Sequence, residues 1–457
     1  MTVVSPADPQ GSLARNVLDA VDRLVARPSA AAFCVVRVPA PARAGERLLA
    51  LDPALDASFW AEPNGDEHVG LGAVATLTSS GAERFASIAA AGQELFRRVG
   101  DERRALRLFG GFAFQPGRAQ SSAWRPFGEA RFVLPRVVYS RSGRDAELAL
   151  VLGREELGTP GQRQPAVLLA QRVLAALAEG DDAPESAPLD ARLHERPDAE
   201  FCDLVSAIQE AIARGELEKV VLARRVELTL SRPADAARVL RRLGAIAPEC
   251  VRFAFRSAGA TFLGATPERL VAKRGTAFDT EALAGSIRVD EAPPSRLMES
   301  QKERAEQAIV VREVLRSLEP LVTSIEHAPV PEVHRLRHVA HLRTRIRGEL
   351  RSALHVLALV ERLHPTPAVG GVPTARALSW IAEHEPDERG WYAGPVGWFD
   401  AAGDGEFAVA LRSGLFEGTS GALYAGAGIL RGSSAASELA ETRWKLAALL
   451  GALEVDP

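Results

Sequence analysis

Three pairs of strand-like runs in this chain are separated by turns too short for anything but a reversal. RFVLPRVVYS and AELALVLG flank SGRD, RFAFRS and TFLGATPERLVAKR (Arg252–Ser257, Thr261–Arg274) flank SAGA, and GPVGWFD and EFAVALRSG flank AAGDG. Parallel neighbours need a crossover of a dozen residues or more, so these pairs must run antiparallel. Further strands are expected at Ala31–Val38, Gly70–Leu77, Leu108–Gln115, Leu217–Leu228 and VAHLRTRIRGEL, and AFDTEALAGSIR is expected to end in a turn at Gly285–Ser286. Helical spacing marks Ser12–Ala26, Gly81–Val99, Pro165–Ala178, Glu200–Arg214, Ser295–Leu318, Ala353–Leu363, Thr374–Glu383 and Ser437–Leu453. Hairpins and helices mixed without regular strand–helix–strand alternation predict an α+β fold, not a doubly wound sheet.

The run GDDAPESAPLDARLHERP (Gly180–Pro197) is polar and Pro-rich, so the main boundary is placed there: a supporting half over 1–190 and a chemistry-bearing half over 191–457. A net charge of −4 gives no support to a nucleic-acid partner; any anion must be caught by local basic residues. Cys34, Cys202 and Cys250 have neither disulfide nor zinc spacing, which fits a reducing cytoplasm. No apolar run is long enough to span a bilayer, and MTVVSPADPQ lacks the charged-then-apolar pattern of a signal peptide.

Candidate chemistry concentrates between Arg412 and Lys445. Glu438, Glu441 and Lys445 fall on one helix face, and a second helix offers Glu303 and Glu306 at the same i, i+3 spacing. Four carboxylates without a His/Cys cluster favour a hard cation such as Mg2+ over zinc. The plain alternative is a pair of solvated helix faces, with Glu441–Lys445 an ordinary surface pair. Arg412 ends EFAVALR on the side of Ala408 and Ala410, where a carboxylate ligand would have room; an ordinary strand-end arginine is the alternative. Lys219 lies in an apolar strand, sharing a face with Val221 and Ala223. It is either a desolvated base or a strand-end lysine reaching water. Glu268, among Phe262, Leu263, Leu270 and Val271, is either an acid of raised pKa or the partner of Arg269 or Lys273. His364, in LHPTPA, is a base or a packed loop histidine, and Gly285–Ser286 and Gly426–Gly428 can present N–H groups to a carboxylate.

Taken together, LEKVVLAR, FLGATPERL, ALAGS, SQKERAEQ, LHPTPAVGG, RGWYAGPVGWFD, VALRSG and YAGAGILRGSSAASELAETRWK resemble, in order and spacing, the chorismate-utilising enzymes, over about Glu200 to Leu453. LFGGFAF extends the likeness before the linker, toward the menaquinone-pathway members. The resemblance implies large, mainly antiparallel sheets in layers with outer helices, the monomeric state, and an isochorismate synthase supplying menaquinone or a siderophore. It implies Lys219 as the base activating water for C2 of chorismate and Glu268 as the acid protonating the departing C4 hydroxyl. Glu306 and Glu441 would hold Mg2+, helped by Glu303 and Glu438. Arg412 and Tyr392 would bind the enolpyruvyl carboxylate, and Gly285, Ser286, Gly426 and Lys445 other parts of the substrate. Relatives that use ammonia carry Gln at Lys219, and aminodeoxychorismate synthases carry PIKG where this chain has Leu283–Ser286. Salicylate synthases usually carry Thr where this chain has Ala368, so Ala368 favours stopping at isochorismate without pyruvate elimination. A non-catalytic chorismate-binding relative is the remaining alternative. Glu303 and Gln307 stand where Asp and His are frequent.

Overall fold

The computed structural model describes residues 9–26, 30–179, 189–290, 292–337 and 339–455. Among these, twenty strands join through antiparallel ladders into one sheet system against which ten α-helices pack. The three short-turn pairs are hairpins, closing at Ser142↔Asp145, Ser257↔Ala260 and Phe399↔Gly405. Strands of the two halves are interleaved. Ala57–Ala61, too short and too continuously apolar to signal a strand by alternation, pairs with Val251–Ser257. Arg107–Phe112 pairs with Pro395–Asp400, placing Gly110 opposite Gly397. A β-carbon on Gly110 would come within 1.9 Å of the Arg131 carbonyl oxygen, so the glycine of LFGGFAF is what lets this strand lie against its other neighbour, Ala130–Ser142. Trp124, Phe262 and Trp391 pack edge to face in the core between them.

Five local expectations are corrected. Within the expected linker, 180–188 lie outside the described residues, but Ala191–His194 is a strand paired with Lys219–Leu230. Thr261–Arg274 is not one strand: Ala260–Thr266 and Arg269–Arg274 are separated at Pro267, which has no N–H for a ladder. Ala277–Arg288 does not end at Gly285–Ser286 but passes through it as a bulge against Val339–Leu350. The helix expected over Ser295–Leu318 breaks at Ser300, whose backbone is extended, giving Arg296–Glu299 and Gln301–Leu318. EFAVALRSG is also two strands, Gly405–Val409 and Ser413–Glu417, and Arg412 between them has φ +47°. The alternation that put Arg412 on the side of Ala408 therefore does not apply to it.

No helix among the described residues is long and apolar enough to cross a membrane. All three cysteines are unpaired thiols.

Candidate active site

Breaks in regular structure deliver residues to one cavity, about 100 Å³ in volume. Glu268 enters it from the gap after Pro267, and Gly285 and Ser286 from the bulge. Glu303 and Glu306 come from the first turns of Gln301–Leu318, and Glu438, Glu441 and Lys445 from Ala435–Leu453. Arg412, Tyr392, Ala368 and Gly426 complete the part of the lining singled out from sequence. Lys219 does not line the open space. It lies directly beneath it, wholly buried at the start of a strand whose first four residues are buried on both faces.

The floor is a ladder of ion pairs. Lys219 Nζ donates to Glu306 Oε1 at 2.7 Å, Lys302 Nζ to Glu438 Oε1 at 2.9 Å, and Lys445 Nζ lies 2.6 Å from Glu441 Oε1. Lys445 also donates to the Gly426 carbonyl at 2.8 Å. Glu303 accepts the Ser286 N–H at 3.0 Å. Ser300 caps the helix by accepting from the Glu303 N–H, so the Glu303 carboxylate is free to reach across to the bulge. Burial would raise Glu306, but the Lys219 ammonium holds it below the ordinary carboxylate range. Glu303, buried and facing the charge of Glu306, is pushed up to about 7. Glu438 is raised by burial and by Glu441.

Glu268 is 3% exposed, and neither Arg269 nor Lys273 neutralises it. Those two cations pair with Glu406 and Asp404. Burial, then the nearby Glu281 carboxylate, push Glu268 up to about 8, while Thr366 Oγ1 donates to it at 3.2 Å. Below pH 8 it is thus a neutral acid able to give a proton.

Residues that sequence reasoning passed over also line the cavity. His341 Nδ1 lies 3.1 Å from the Gly285 carbonyl, which can only accept, so the proton is on Nδ1. Its Nε2 is then the acceptor for Arg412 Nη2 at 3.1 Å. Burial and the Arg412 charge lower the His341 pKa well below normal, consistent with this neutral form. Tyr424 stacks on Tyr392 with centroids 5.1 Å apart, and Arg389 fixes the wall by donating to Val221 and Val369 carbonyls. His364 stays outside the cavity. It packs half-buried against Phe114, with Nε2 2.9 Å from the Phe114 carbonyl, and fills the packing role. Gln307 turns away too, donating to Ala282 O and Thr344 Oγ1 inside the sheet.

Among the described residues, no three His, Cys, Asp or Glu side chains converge to hold a metal as placed. The chemistry of the donor set nevertheless fits a hard divalent cation. Four carboxylates crowd one cavity, and three of them take a lysine as counter-ion.

The chain matches the family described as chorismate binding enzyme over residues 48–454. It is 36% identical to the isochorismate synthase MenF of Bacillus subtilis over 353 residues, 76% of this chain and 74% of that one. It is also 36% identical to the salicylate biosynthesis isochorismate synthase of Pseudomonas aeruginosa over 409 residues, 86% and 84% of the two chains. The solved structure of MenF, the menaquinone-specific isochorismate synthase from Escherichia coli, superposes with a TM-score of 0.79 at 31% identity, covering 96% of this chain and 100% of that one.

Proposed function

The chain belongs to the chorismate-binding enzyme family, and on that footing we propose that it is an isochorismate synthase using the cavity above, with Mg2+ held by Glu306 and Glu441 and supported by Glu303 and Glu438. The observation that carries this reading is the pairing of opposites in one place. A carboxyl kept neutral, Glu268, opens onto the same space as a carboxylate kept ionised by a buried amine, Glu306 on Lys219.

The chemistry follows from those groups. Chorismate is a dianion; Arg412, held by His341, takes one carboxylate in bidentate fashion, with Tyr392 on the adjoining wall. Lys219 takes a proton from water as the water oxygen bonds to C2. Both ring double bonds shift, the C4–O bond breaks, and Glu268 gives its proton to the departing hydroxyl. One water enters and one leaves, so the net change is an isomerisation. When bound, Mg2+ supplies a positive centre for the ring carboxylate and screens the four glutamates from one another. Lys219 acts on water as the neutral amine, its ammonium proton having passed to solvent, and after turnover solvent takes the proton from Lys219 and returns one to Glu268. Ala368, with no hydroxyl to offer the cavity, supports stopping at isochorismate.

Incubation of the purified protein with chorismate and Mg2+, with products separated by chromatography, tests the assignment. Isochorismate as the sole product supports it. Salicylate with pyruvate would make the protein a salicylate synthase instead, and chorismate bound without turnover would make it a non-catalytic binder.

A further inference from the structure

Lys302 is unlike the other two lysines of the site. Lys219 is sealed inside the sheet, and Lys445 is also tied to the Gly426 carbonyl. Lys302 reaches in from the rim on the first turn of its helix, its side chain 42% exposed, to meet Glu438, whose side chain is 2% exposed. Their 2.9 Å bond joins the two helices that carry the four carboxylates. A divalent cation and an ammonium drawn to the same buried carboxylate at that range compete, because their mutual repulsion there is of the same order as each one's attraction to the oxygen.

Building on the proposed metal site, we propose that Lys302 is an internal competitor for the cation: it occupies Glu438 in the metal-free protein and must be displaced when a metal binds there. The exchange has a second consequence. The freed ammonium swings on a four-carbon stem at the mouth of the cavity, where an anionic substrate enters, so cation binding adds a positive charge to the path of the dianion. Lys302 thereby lowers the intrinsic cation affinity of the empty protein and links metal binding to substrate binding, an effect that is reciprocal by thermodynamic necessity.

The test is calorimetric titration of Mn2+ alone into the metal-free full-length protein at pH 8.5. Lys302→Met is expected to bind Mn2+ about tenfold more tightly than wild type, the scale of removing one close positive charge. Lys302→Arg, which keeps the counter-ion, is expected to match wild type. In a Glu438→Gln background, Lys302→Met is expected to change nothing further. Equal or weaker binding by Lys302→Met with an unchanged melting temperature overturns the proposal, as does a full effect persisting without Glu438. If Glu306→Gln loses Mn2+ binding while Lys302→Met has no effect, this inference alone fails. If wild type binds no Mn2+, or Glu306→Gln and Glu441→Gln bind it unchanged, the metal reading fails and takes this inference with it.

Discussion

Arg412 Nη2 lies 3.1 Å from His341 Nε2, and the opposite ring nitrogen of His341 is fixed by the Gly285 carbonyl. The imidazole thus transmits the position of the β-bulge to the guanidinium. Arg412 needs such support, since its backbone sits at φ +47°, outside either flanking strand.

His341→Ala should therefore raise KM for chorismate about tenfold or more, the usual scale for losing a hydrogen bond to a charged group, while changing kcat less. His341→Gln, whose amide can donate to Gly285 and accept from Arg412, should recover most of the loss. Steady-state kinetics of both variants check this. A loss in kcat alone would mean that His341 acts on the reacting atoms and not through Arg412.

Lys219→Gln should cut kcat by roughly 10²- to 10⁴-fold, the usual contribution of a positioned base. The amide can still donate to Glu306, so the half-buried carboxylate keeps a partner and the fold survives. Chorismate affinity by calorimetry should stay within a few-fold of wild type. Full activity in this variant would remove Lys219 from the chemistry.

As the proposed acid, Glu268 should set the alkaline limit. The protonated form it needs, with a pKa of about 8, is lost as pH rises through 8, so kcat/KM should fall on that side. The same shift bears on stability. Its folded-state value lies above the ordinary 4.5, so between 4.5 and about 8 the unfolded chain releases a proton that the folded chain keeps. Stability therefore declines with rising pH across that window. Glu268→Gln should abolish turnover yet melt higher than wild type at pH 8. A variant that melts lower there would show that the carboxyl is not held neutral by its burial.

How far these residues could be read beforehand follows from how local their signals are. Hairpins closed by two to five residues, and the i, i+3, i+4 face of Glu438, Glu441 and Lys445, are contained within one element each, and the folded chain keeps them. Lys219 is buried because its strand is covered on both faces, which its apolar neighbours allowed without deciding against a strand-end lysine in water. Arg412 went astray because alternation holds only inside a strand, and the strand ends at Val409. His341 gave no signal, since a single polar residue in VAHLRTRIRGEL reads as the wet face of a strand. Its role exists only through the register that places it opposite Ser286, 55 residues away in sequence. Lys302 was hidden by the break at Ser300, which turns what looked like mid-helix into a first turn at the cavity rim.

Gly428 offers a test that replaces no charged group. A β-carbon there would stand 2.7 Å from Glu306 Oε1 and 3.1 Å from Lys219 Cε. Both are side-chain atoms, so the strain is relieved by moving them apart rather than by distorting the sheet. Gly428→Ala should consequently fold, at a cost of about 1–3 kcal/mol typical of overpacking. Its effect should fall on function: the Glu306 carboxylate is pushed off its place between Lys219 and the cavity. Half-maximal activity should then need several-fold more Mg2+, and kcat should drop together with it. The measurement is a Mg2+ titration of activity beside a thermal melt. Wild-type Mg2+ dependence with a lowered melting temperature would mean that the cavity floor yields elsewhere and that the Glu306 position does not govern the cation. A raised Mg2+ requirement in a protein that still melts cooperatively, only somewhat lower, would place the cation, the buried amine and this glycine in one mechanical unit.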